Sequence, residues 1–210
     1  MDEMSDNSLE TQKLLKQVRS GDTEALSRIF ALYRTYLRKV IEMRMDARLQ
    51  KRVDASDIVQ ETQLEAARRL ADYLEKEPVP FRLWLRQIAL DRLSNARQRH
   101  IGTARRTTSR EVSLPERSSL LLAEQLLAGG STPSQHVAKQ EQVRHVREVL
   151  AKLPEADREI LLMRNLEKLS YKEIGCVMGI DTDAAKMRHV RALQRLSEIM
   201  RDNGLTESQL

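Results

Sequence analysis

Apolar positions recur at three- and four-residue spacing along almost the whole chain, and no stretch alternates apolar and polar residues for the length of a strand. The pattern therefore predicts helices separated by turns. The breaks fall at Gly21, Arg52 to Asp54, Pro78 to Pro80, Gly129 to Pro133 and Pro154. A short helix near Ser8 to Arg19 presents Leu14, Leu15 and Val18, and a longer one from about Thr23 carries Leu26, Ile29, Phe30, Tyr33, Leu37 and Ile41 on one side. Asp54 caps a helix expected to turn Ile58, Val59, Leu64, Ala67 and Leu70 inward and its acids outward. A fourth helix begins after Pro80, offers Phe81, Trp84, Leu85, Ile88 and Leu93 as apolar contacts with arginines interleaved, and closes a first helical domain over residues 1–100.

Residues 101–134 lose the periodicity and contain Pro115, Gly129, Gly130 and Pro133, the composition of a tether. Within it, SSLLLAEQLL from Ser118 to Leu127 predicts a helical turn. Its leucines form either an interaction patch or a face docked on a neighbouring helix. A helix to Leu153, another from Glu155 to Leu166 and a further pair from Ser170 onward make a second domain over 135–203, followed by a tail over 204–210. The expected fold is all-α, two small helical domains on a flexible link.

The last pair carries the most specific local signal. Ser170 and Glu173 form an S-x-x-E capping box, Ile174, Val177 and Met178 supply an apolar stripe, and Gly179 stands where a helix ends, because glycine accepts the left-handed conformation. Ile180 plugs the corner and Asp181 caps a second helix whose inward face runs through Ala185, His189, Ala192 and Leu196. Its opposite face holds Thr182, Asp183, Lys186 and Arg191, with Arg188 at the flank. This is the sequence form of a helix-turn-helix, whose second helix needs free N-terminal side chains for base edges and later cations for phosphates. A solvated helical hairpin is the plainer alternative.

Composition narrows the class. Scarce β-branched and aromatic residues favour bundles over sheets. The net charge of +5 is unevenly spread. Residues 82–110 hold eight arginines against one aspartate, whereas 54–77 hold seven acids against three bases. The single Cys176 can form no intramolecular disulfide, and no signal peptide or long apolar run is present, so a cytoplasmic protein without membrane insertion is expected. The four histidines and one cysteine show no zinc spacing, and no P-loop or nucleophile constellation occurs, so neither an enzyme nor a cofactor or metal site is expected.

The order of Asp54-Ala-Ser-Asp57-Ile-Val-Gln60-Glu61-Thr, Phe81-Arg-x-Trp84-Leu-Arg-x-Ile88-Ala, Leu153-Pro-x-x-x-Arg158-Glu159-Ile-Leu and Ser170-Tyr-x-Glu173-Ile-x-x-x-Met-Gly179-Ile resembles bacterial RNA polymerase sigma factors of the sigma-70 family, extracytoplasmic function group. The resemblance covers about Ala25 to Met200 and implies a region 2 domain followed by a region 4 domain. It implies a sigma factor that binds core RNA polymerase through the β′ clamp helices and the β flap, and that selects promoter DNA. An anti-sigma factor is a further partner of the family. The alternative is a polymerase-independent helix-turn-helix regulator, which would need a dimer seam that the sequence does not show. A protein-only adaptor would leave both basic helices unexplained.

Residue roles follow from the same resemblance. Asp57, Gln60 and Glu61 match the segment that docks on the polymerase clamp, and an acidic helix suits a basic coiled coil. Arg82, Arg86, Arg92, Asn95, Arg97 and Arg99 match the segment that captures and opens the −10 element. Trp84 is either an aromatic core residue there or a platform for an extruded base. Asp91 stands where the family commonly has asparagine, and Asn95 where it commonly has an acid. Thr182, Asp183 and Lys186 fall at positions for −35 base edges, with Arg188 and Arg191 for phosphate. His189 replaces the usual leucine or aromatic and reads as a packed histidine.

Overall fold

The computed structural model describes residues 3–101, 116–127 and 136–202, all of whose regular elements are helical. They fall into two compact units divided near Arg105. No helix among them is long and apolar enough to cross a membrane.

The first unit contains α1 (Glu3–Arg19), α2 (Thr23–Arg44), α3 (Ala47–Gln50), α4 (Ala55–Lys76) and α5 (Phe81–Ile101). Aspartates start three of these helices. Asp22 accepts from the N–H groups of Glu24 and Ala25 at 2.9 and 3.0 Å, Asp46 from Arg48 and Leu49, and Asp54 from Ser56 at 2.6 Å. The Ser56 backbone N–H holds the Asp54 carboxyl below its ordinary pKa. The four-residue α3 has too little periodicity to be read from sequence; its signal is Asp46 two residues ahead of the Arg48 amide it caps.

The periodic faces meet in one core in which Ile29, Leu37, Ile41, Leu49, Ile58 and Leu85 are fully enclosed. At one end Tyr73 lies between Phe81 and Trp84, with ring centroids 5.3 and 4.5 Å away, and its hydroxyl donates to the Val79 carbonyl at 3.0 Å. Burial, reinforced by Glu77, pushes the Tyr73 phenol up to about 12. α4 ends on Glu77 in the left-handed region at φ 36°, a conformation held in place by Arg19, which donates to the Leu74 carbonyl and the Glu77 carboxylate at 2.7 Å each.

The second unit contains α6 (Glu116–Leu127), α7 (His136–Lys152), α8 (Glu155–Asn165), α9 (Tyr171–Met178) and α10 (Thr182–Asp202). The leucine-rich α6 is docked on a neighbour: it packs against α7 and α8, with Ser118, Leu122 and Ala123 buried. Part of the segment read as a tether is thus built into this unit, because Leu122 and Ala123 have an apolar surface to cover. The remainder of that segment, 102–115 and 128–135, and the tail over 204–210 lie outside the described residues.

Candidate nucleic-acid and partner interfaces

In the second unit the outward face of α10 stands on a frame of internal bonds. The capping box at the start of α9 is complete: the Glu173 N–H donates to Ser170 Oγ at 3.2 Å, and the Ser170 N–H donates to Glu173 Oε2 at 2.8 Å. Gly179 ends α9 at φ 66°, and the Ile180 N–H returns to the Gly175 carbonyl at 3.0 Å. The turn is so close that a Cβ on Gly175 would lie 2.7 Å from the Ile180 carbonyl oxygen. Glycine is therefore required at 175 by space and at 179 by backbone angle. Asp181 then caps α10, accepting from the Ala184 N–H at 2.6 Å.

Further contacts tie the helices of this unit to one another, two of them to α10. The buried Asp157 of α8 pairs with Arg195 of α10. Arg158 donates to the carbonyls of Ala151 and Leu153 at 3.1 and 2.6 Å, satisfying acceptors at the end of α7. His189 is buried and shares a hydrogen bond with the Tyr171 hydroxyl at 3.1 Å, while Arg164 sits 4.7 Å over the other part of that stack, the Tyr171 ring. Burial and then the Arg164 charge hold the imidazole below its ordinary pKa, so it is the neutral form that packs. The sequence reading of His189 as a core residue agrees with this placement.

On the other side of the helix, Thr182, Asp183, Lys186 and Arg191 are exposed and Arg188 is half-buried at the edge. Asp183, Lys186 and Arg191 thus lie on the solvent-facing side of α10, away from the buried Ala185, His189, Ala192, Leu196 and Met200, whereas Thr182, exposed as the first residue of the helix, stands in line with the buried row and not opposite it. Sequence reasoning missed two neighbours on that surface, Met187 and Val190, which are 49% and 37% exposed.

The first unit distributes its candidate residues differently. Asp57 and Gln60 are exposed on α4 and Glu61 is half-buried. Leu64 corrects the inward reading given above: it is 62% exposed, and Ala67 is also exposed. Helical spacing of three and four places Leu64 one turn beyond Gln60 and Glu61, so the acidic face carries an apolar residue. The core positions on this helix are Ile58, Val59, Thr62, Ala66, Leu70 and Tyr73. The signal was available in the sequence, since Leu64 is out of phase with the Ile58–Thr62–Ala66–Leu70 stripe.

The arginines of α5 serve several ends. Arg86 is only 3% exposed, which corrects its place among the −10 contacts, because an enclosed side chain does not reach a ligand at the surface. Arg97 donates to the Arg44 carbonyl at 3.1 Å and lies 3.4 Å from the Asp46 carboxylate, joining α5 to the α2–α3 corner. Arg82 stacks 4.2 Å over the Tyr36 ring, and Trp84 packs partly buried against Tyr73 and Phe81, the core alternative for that residue. Arg99 reaches α4, where its Nη2 donates to both Glu61 oxygens at 2.9 and 3.2 Å. Glu61, Arg92, Asn95, Gln98 and Arg99 together line an open cleft of about 490 Å³. Gln98 is the member that the sequence did not single out. Among the described residues no cluster of three or more histidine, cysteine, aspartate or glutamate side chains is arranged to hold a metal.

The chain is similar in sequence and in fold to known proteins. The family described as Sigma-70, region 4 matches residues 144–196, the span from α7 through most of α10. The ECF RNA polymerase sigma factor SigD of Mycobacterium tuberculosis is 28% identical over 179 residues, covering 85% of this chain and 78% of that protein. SigW of Bacillus subtilis is 26% identical over 195 residues, covering 91% and 97%. Among solved structures, that of CnrH in complex with the cytosolic domain of CnrY matches 93% of this chain and 99% of its own with a TM-score of 0.54 at 21% identity, a likeness of fold.

Proposed function

Because the chain belongs to the sigma-70 family, in its extracytoplasmic function group, we propose a division of labour for its two units in promoter-specific initiation by RNA polymerase. The protein binds core RNA polymerase and directs where transcription starts, and the bond-making chemistry belongs to the polymerase. The second unit reads the −35 element with Thr182, Asp183 and Lys186, while Arg188 and Arg191 hold phosphate. The observation that carries this assignment is the outward, solvent-facing row on α10, held by a buried frame on the other side. Base-edge readers must be rigidly presented and unobstructed, and both conditions are met.

The first unit docks on the polymerase clamp through Asp57, Gln60 and Glu61, joined by Leu64. An exposed leucine amid carboxylates and amides fits a partner helix that is basic with an apolar groove. The −10 element is engaged by the cleft residues Arg92, Asn95, Gln98 and Arg99, with Arg82 at the flank. Two moderate DNA contacts linked through one polymerase gain from effective concentration, so the free protein binds promoters weakly. The same α4 face, uncovered when polymerase is absent, is the surface an anti-sigma protein would cover; CnrH, which shares this fold, was solved in complex with the cytosolic domain of CnrY.

Fluorescence anisotropy of the labelled full chain against purified core polymerase tests the reading. Saturable binding is expected, weakened by Asp57→Ala and Gln60→Ala together and unchanged by Glu198→Ala in the second unit. Binding that ignores the α4 variants would refute the docking assignment.

A further inference from the structure

The apolar pair on the outward face of α10 is absorbed by none of the roles above. Met187 is 49% exposed and Val190 37% exposed, three residues apart, with Asp183 one turn before Met187 and Arg191 one turn after it. At about 100° per residue Met187 lies nearly opposite the centre of the buried stripe, so it points further from the helix's packed side than Thr182, Asp183 or Lys186. A single exposed apolar residue needs no explanation. Two at the middle of a groove-reading surface, flanked by the exposed cations Lys186 and Arg191, form a mixed apolar and cationic strip.

The major groove offers one apolar group on its base edges, the C5-methyl of thymine. We propose that Met187, with Val190 beside it, is a specificity-determining contact for thymine methyl groups in the −35 element. The inference rests on the assignment of the second unit to that element. The flanking charges decide the occupant: Lys186 and Arg191 are matched by phosphates bordering a groove, whereas an apolar protein surface laid on Met187 would strip water from both cations without pairing them. Methionine suits the task because its unbranched thioether adjusts to a methyl group whose position shifts with groove geometry.

The test uses holoenzyme assembled from the full chain and core polymerase. A promoter is first selected from templates with a randomised −35 segment, and each thymine of the selected segment is then replaced by uracil, which lacks only the methyl group. At one or two positions uracil should lower initiation about fourfold, the equivalent of about 0.8 kcal/mol for one carbon group removed from contact. Met187→Ala should bring the thymine template down to the uracil level and abolish the difference, and Met187→Gln, which keeps the length, should do the same. Uracil tolerated at every position would overturn the proposal, as would a thymine preference that survives in both Met187→Ala and Val190→Ala. Equal loss on thymine and uracil templates in Met187→Ala would assign the strip to a protein contact instead. Failure of the underlying reading looks different: wild-type holoenzyme would select no −35 sequence at all, and both claims would fall together.

Discussion

Two helices carry most of the basic residues that suggest DNA binding, and they use them in opposite ways. On α10 the cations facing solvent, Lys186 and Arg191, project from a surface whose supporting bonds lie on the far side. On α5 the arginines are largely committed within the protein: Arg86 is enclosed, Arg97 holds the Arg44 carbonyl, Arg82 lies on Tyr36 and Arg99 is paired with Glu61. Charge counted along a sequence is therefore not charge available to a ligand. Of the arginines on α5, Arg92 and Arg99 are the two that line the α4–α5 cleft.

The largest expected effect probes the frame beneath α10. Gly175→Ala places a Cβ against the Ile180 carbonyl, and overpacking against backbone should destabilise the second unit by about 3 kcal/mol. Urea unfolding of the full chain should show an early loss of helix, while fluorescence of Trp84, the only tryptophan and a residue of the first unit, keeps its wild-type transition. A shifted Trp84 transition would mean that the two surfaces share one frame and would break the contrast.

Next comes the α4 face. Leu64→Ser should weaken binding to core polymerase about tenfold, equivalent to about 1.4 kcal/mol. Its melting temperature should stay within error of wild type, because Leu64 is 62% exposed. A stability loss with unchanged binding would return Leu64 to the core.

A matched pair of arginine variants then separates available from committed charge. Arg191→Ala should lower the slope of log affinity against log salt, for holoenzyme on promoter DNA, by about one. Arg97→Ala should leave that slope unchanged and instead destabilise the first unit, since it removes the donor to the Arg44 carbonyl. Equal salt slopes for the two variants would dissolve the distinction.

The smallest effect is on pH. His189 has its folded pKa lowered, so its packing contributes stability at pH above the ordinary histidine range near about 6.5 and loses it as acidification protonates the ring. Tyr73 has its folded pKa raised to about 12, so its contribution to the first unit is complete below the ordinary tyrosine pKa of about 10 and fades as pH rises through the raised value. The second unit should thus soften in mild acid and the first in alkali. His189→Leu should flatten the acid limb in a thermal melt series and leave the alkaline limb alone.

Much of this architecture was legible because its signals are local. The capping box, the Gly179 stop and the Asp181 cap each act over a few residues, and each is observed as the sequence predicts. The inward row from Ala185 to Leu196 follows from helical period alone. What escaped depended on neighbours distant in sequence. Arg97 reads like any arginine until the α2–α3 corner comes within reach, and Arg86 until the bundle closes around it. The docking of α6 was open for the same reason, because its leucines specify burial without specifying a partner. Leu64 is different: its helical phase is readable from sequence and places it outside, against the general tendency of leucine to be buried.

Together these two units guide RNA polymerase to its promoters. Run-off transcription with purified core polymerase, the full chain and a promoter library tests it most directly. Discrete transcripts that core polymerase alone does not make are expected, sharing sequence at both −10 and −35 positions and lost when α10 carries Lys186→Ala with Arg191→Ala. Transcripts no different from those of core polymerase by itself would contradict it.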